Sequence, residues 1–105
     1  MDKVYKLIGL AKRAGKVKSG EANVKQSIQE GSAYVVFIAS DISENTKKSI
    51  TNSCNYYDIS CYTLGDMITL GHSIGNEFNA AVAVTDEGLA NLITERLKNI
   101  NGGVL

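Results

Sequence analysis

Apolar residues return every three or four positions at the start of the chain. Val4, Leu7, Ile8, Ala11 and Ala14 fall on one side of a helix that Gly15 ends. Lys3, Lys6 and Arg13, separated by three and seven positions, share another face of it. Lys16-Val17-Lys18-Ser19 is short and reads as extended. A second helix opens at Gly20 and runs to about Glu30. It turns Val24 and Ile28 inward, sets Glu21 and Lys25 at ion-pair spacing and stops at Gly31.

The pattern then changes. Tyr34 to Ala39 is an apolar run without alternation, as expected of a strand covered on both faces. Asp41 or Ser43 caps the next helix, Asp41 with Glu44 having capping-box spacing, and Ile50, Cys54 and Tyr57 form its inner stripe. Ser60 to Thr63 reads as a short strand, Met67 to Ile74 as a short helix ended by Gly75, and Ala80 to Thr85 as a buried strand of small residues. Asp86 caps a last helix striped by Leu89, Leu92, Ile93, Leu97 and Ile100. With doubly covered strands between helices, the expected fold class is α/β. It is a three-layer α/β/α sandwich around a central mixed sheet of about four strands. One domain is expected over residues 1–100, with 101–105 as a flexible tail in which Asn101-Gly102-Gly103 frays.

Composition narrows the function classes. The 105 residues suit one domain, and 44% hydrophobic content is that of a globular protein. The apolar runs fall far short of the ~20 residues of a membrane span, and no secretory signal is recognised at the N-terminus. A cytoplasmic protein without membrane contact is expected. Cys54 and Cys61 read as free thiols in a reducing compartment. The net charge is zero, yet residues 1–50 hold nine Lys/Arg against five Asp/Glu, while residues 51–105 hold two against six. Such asymmetry suggests one positive face and a polyanionic partner.

Catalytic and cofactor patterns are not met. Gly9 and Gly15 have five residues between them, and Val17 follows Lys16, so the phosphate-binding loop pattern fails. No Gly-x-Gly-x-x-Gly joins a strand to a helix, and no Gly-x-Ser-x-Gly elbow exists. His72 is the sole histidine, and Cys54 and Cys61 lack a second close ligand pair for zinc. The expectation is a binding protein, not an enzyme, with no cofactor and no metal.

An ordered set of segments carries a resemblance. Ser19-Gly20 opens a polar helix closing at Gly31, and an apolar strand ends in Ala39-Ser40-Asp41. Then come Leu70-Gly71-His72-Ser73-Ile74-Gly75 and Val82-Ala83-Val84-Thr85-Asp86. In this order they resemble the L-seven-Ae kink-turn-binding ribosomal protein superfamily. The segments from Leu7 to Lys16 and from Ser43 to Lys48 most resemble its bacterial YlxQ-type branch. The resemblance covers roughly residues 3–98 and implies the same three-layer fold. It also implies a structured RNA as partner, ribosomal or otherwise kink-turn-like, with no DNA expected.

The resemblance places an RNA site at the start of the second helix. A glycine permits close backbone approach, and helix-terminal amides suit a phosphate. The residues implicated are Gly20, Glu21, Asn23, Lys25 and Gln26, with Lys12, Arg13, Lys16 and Lys18 as the basic cluster. Asn76, Glu77 and Phe78 form the loop before the last strand, where Phe78 either stacks on a base or fills core. The chain departs from its relatives at Ala22, which can neither donate nor accept, and at Ser40 and Met67, where some relatives hold an acidic and a basic residue. A protein-interaction module that kept the fold and lost RNA reading is the alternative.

Overall fold

The elements follow from the alternation along the chain. In the computed structural model, which describes residues 2–102, they are α1 (Asp2–Arg13), β1 (Val17–Ser19), α2 (Glu21–Gln29), β2 (Val35–Ile38), α3 (Glu44–Tyr56), β3 (Ser60–Thr63), α4 (Met67–Ser73), β4 (Ala81–Val84) and α5 (Glu87–Gly102). The sheet order is β1-β4-β2-β3. β4 pairs antiparallel with both β1 and β2, in the registers Val17↔Val84 and Val35↔Val84, while β3 lies parallel to β2. Three strands therefore run one way and β4 runs against them.

Alternate residues of the central strands feed two cores. Val35, Phe37, Val82 and Val84 pack with Val4, Ile8 and Ala11 of α1, Leu70 of α4, and Ala90, Ile93 and Leu97 of α5. Val36, Ile38, Ala81 and Ala83 face the other way, onto Val24 and Ile28 of α2 and Ile50 and Cys54 of α3. The sandwich thus has the three layers expected. Each large side chain fully buried here contributes about 1.5–3 kcal/mol against exposure.

Some stripe positions differ from the periodicity. Tyr57 is exposed because it caps α3 past the last turn, and its ring packs edge-on against Tyr56. Ala14 is exposed beyond the end of α1. In α5 the sheet covers the line of Ala90, Ile93 and Leu97, which leaves Leu92 47% exposed. Ser43, not Asp41, caps α3, its Oγ accepting from the Thr46 amide at 3.2 Å. Lys25 does not turn to Glu21 but donates to Ser49 Oγ on α3 at 2.7 Å. Both cysteines are free, Cys54 buried and Cys61 half-buried. α5 extends to Gly102. The expectations for the Ile100 side chain and for residues 103–105 lie outside the described residues.

Candidate functional site

Because β1, β2 and β3 share a direction, their last residues arrive at one end of the sheet and each turns there into a helix. The loop entering β4 returns to the same end. Three helix N-termini and one loop therefore meet at a rim, the position where open α/β sheets take ligands. Backbone bonds fasten it. Gly20 N–H donates to the Ala81 carbonyl at 3.0 Å, Ala39 N–H to Ala80 at 2.9 Å and Ser40 N–H to Gly65 at 2.7 Å. Asn79 N–H donates to the Met67 carbonyl at 3.0 Å, and Met67 N–H to Asp41 Oδ1 at 2.9 Å.

The three N-termini are not equivalent. Ser43 caps α3, and Asp66 caps α4 by accepting from the Thr69 amide at 2.8 Å. Those bonds, backbone first and then the Thr69 side chain, hold the Asp66 carboxyl below its ordinary value. α2 has Gly20 as its N-cap and no side-chain cap bond. Its first-turn amides sit at the positive end of the helix without that partner. Gly20 has φ 88° and ψ 154°, a region essentially restricted to glycine. A Cβ there would meet no protein atom within 4 Å, so backbone conformation and not crowding requires glycine.

Around them, Asn23 Nδ2 donates to the Ser19 carbonyl at 3.1 Å, which uses one of its two N–H groups and orients the amide at the rim. Gln26 lies one turn further on and is exposed, as is Ala22, while Glu21 is half-buried. The loop before β4 doubles back along α4, with Asn76 N–H donating to the Gly71 carbonyl at 2.9 Å. A Cβ on Gly71 would lie 2.7 Å from the Phe78 backbone N and C, so the loop lies directly against the helix. Asn76 and Glu77 are exposed, and Phe78 is 64% exposed. Its ring does not fill core.

Not every expected residue joins the rim. Thr85 N–H donates to the Lys16 carbonyl, whereas Gly20 bonds Ala81, so β1 and β4 separate Lys16 from Gly20. Four residues of strand amount to about 13 Å. Lys12 and Arg13, in the last turn of α1, lie toward the Lys16 end. Lys18, exposed on edge strand β1, stands between the two ends. Lys25 is held against α3. Ser40 and Met67 are at the rim, the first exposed and the second half-buried.

The rim also holds residues whose part in it the sequence did not show. Asp41 ties the loop after β2 to α4, Ile68 is 58% exposed, and Asn79 is only 9% exposed with an Nδ2 that has no hydrogen-bond partner. Spacing offered Asp41 only as a helix cap and marks neither Ile68 nor Asn79, since loop pairing across the rim sets their surroundings. Among the described residues no group of three or more His, Cys, Asp or Glu could hold a metal ion, and no helix is long and apolar enough to cross a membrane.

Comparison with known proteins matches residues 2–94 to the profile of the ribosomal protein L7Ae/L30e/S12e/Gadd45 family. The chain is similar to the RNA-binding protein YlxQ of Bacillus subtilis (strain 168), with 43% identity over 93 residues, 89% of this chain and 93% of that one. It is 35% identical to the RNA-binding protein YlxQ of Enterococcus faecium over 91% of this chain and 92% of that one. A solved structure of a protein of unknown function from Bacillus halodurans C aligns with a TM-score of 0.85 at 31% identity, covering 89% and 94% of the two chains. The Giardia lamblia 15.5kD RNA binding protein shares the fold, with a TM-score of 0.76 at 16% identity over 93% and 84%.

Proposed function

Because the chain belongs to the ribosomal protein L7Ae/L30e/S12e/Gadd45 family, we propose that it is an RNA-binding protein whose site is the rim at the N-terminus of α2. The single observation that carries this reading is the contrast between helix ends. α3 and α4 are capped by their own Ser43 and Asp66, while α2 begins at Gly20 with no side-chain cap and no atom within 4 Å of where a Gly20 Cβ would stand. That end is suited to a phosphate. Asn23 and Gln26 stand beside it with amide groups able to meet base edges. The exposed Phe78 and Ile68 supply apolar surface at the same rim, and Phe78 can stack on an unpaired base.

The RNA is a structured one, ribosomal or otherwise kink-turn-like, with G·A pairs read at the first turns of α2. The protein acts in the cytoplasm and by binding, not by catalysis. Titration of a kink-turn RNA and its G·A-disrupted control against the natural protein and Asn23→Ala tests this. Asn23→Ala should lose about 1–3 kcal/mol if the amide makes a bidentate base contact, with unchanged circular dichroism. Unchanged affinity in the folded variant would favour a protein-interaction role for the rim.

A further inference from the structure

The layer opposite α2 and α3 carries a surface that the rim does not use. Between α1 and α5 lies a groove of about 390 Å³, lined by Lys3, Lys6 and Leu7 of α1 and by Leu92 and Arg96 of α5. Its lining is almost wholly apolar: the leucines and the methylene stems of Lys3, Lys6 and Arg96. Leu92 is 47% exposed, and Leu10, one turn after Leu7 on α1, is 44% exposed. Asp2 lies four residues before Lys6 and Glu95 three after Leu92, so each flanks a groove residue on its own helix, but neither lines the groove. Lys6 also borders a second groove, lined in addition by Arg13.

We propose that the α1–α5 groove is a docking site for an acidic, amphipathic segment of a protein partner. Charge complementarity sets the sign of the occupant, because Lys3, Lys6 and Arg96 line the groove and outnumber the two carboxylates, Asp2 and Glu95, that flank it. The leucines decide its class. A nucleic-acid backbone is polar throughout and leaves Leu7 and Leu92 uncovered, whereas a helical segment with leucines at intervals of three and four covers them and brings its carboxylates to Lys3, Lys6 and Arg96. The groove lies in the other helical layer from α2, so this proposal stands apart from the rim's reading.

The probe is a short synthetic peptide of leucine pairs separated by glutamate pairs, titrated into the isotope-labelled full chain and followed by amide shifts. Shifts are expected at Lys3, Lys6, Leu7, Leu92 and Arg96. Affinity should fall by about tenfold or more in Lys3→Glu with Arg96→Glu, and likewise in Leu92→Ser, tenfold being about 1.4 kcal/mol. Twin peptides with lysine for glutamate, or serine for leucine, should not bind. All these positions are at the surface, so unfolding should be unchanged, and the charge-reversed variant serves if Leu92→Ser does not fold. Three results would overturn the proposal: no groove shifts, equal binding of the lysine peptide, or an equal loss of kink-turn RNA affinity in the groove variants, which would make the groove RNA surface. A natural dimer that Leu92→Ser converts to monomer would also overturn it, by making a second copy the occupant.

Discussion

Gly71→Ala separates local propensity from tertiary contact by the sign of one number. In an open helix, alanine for glycine stabilises by about 1 kcal/mol. Gly71 is buried in α4, and its Cβ would stand 2.7 Å from the Phe78 backbone N and C. Backbone cannot rotate away as a side chain can, so the loop must move outward. That motion strains the Asn76-to-Gly71 bond of 2.9 Å and the Asn79-to-Met67 bond of 3.0 Å. Overpacking costs about 1–3 kcal/mol, and a weakened hydrogen bond adds about 0.5–1.5 kcal/mol. Against the propensity gain, the net loss is about 1–3 kcal/mol. For a domain near 100 residues this lowers Tm by roughly 4–24 °C. Urea unfolding and calorimetry read it, and RNA affinity should fall in the same variant because Phe78 moves. A Gly71→Ala protein more stable than the natural one would refute the close approach of loop to helix.

The Asp66 carboxyl, held low by its bonds to Thr69, contributes stability that is present above the unfolded-state value of about 3.9 and is lost as pH falls through its lower folded value. Thermal scans from about pH 5 down to about pH 2 should show that acid limb, and Asp66→Asn, which keeps a capping oxygen, should flatten it. RNA affinity should fall with salt at a log–log slope of roughly −2 to −3 if about three phosphates are neutralised, and a flat response would count against phosphate contact. With Ala22 unable to read an edge, discrimination between a kink-turn and its G·A-disrupted control should be modest. Ala22→Asn should then widen the gap more than it raises control binding. A natural protein that already separates the two RNAs by orders of magnitude reads them with other residues.

The fold was legible because the residues that set it act through short-range pattern. The unbroken run before Ala39 and the small-residue run before Thr85 read as doubly covered strands, and both are covered. Ser60 to Thr63 was legible as a strand, although its place beside β2 at the sheet edge was not. Stripes were less secure at their margins. Tyr57 and Leu92 keep helical spacing but point past the surface that the sheet can cover. The rim was half legible: Gly20 and Asn23 sit together because they are near in sequence. Asp41, Met67 and Asn79 come together across 39 positions, through bonds that no local pattern encodes. The basic residues show the converse error, since Lys16 and Gly20 are close in sequence but sit at opposite ends of a strand.

The central claim is that the open amides at the start of α2 receive an RNA phosphate. Its most direct test follows the backbone amide resonances of Glu21, Ala22 and Asn23 during titration with a kink-turn RNA, with the G·A-disrupted RNA as control. These amides, together with Gly20 and the Asn76–Phe78 loop, should shift first and furthest, saturate with the binding isotherm, and shift less with the control. Shifts confined to Lys12, Arg13 and Lys16, with the α2 amides unmoved at saturation, would contradict it.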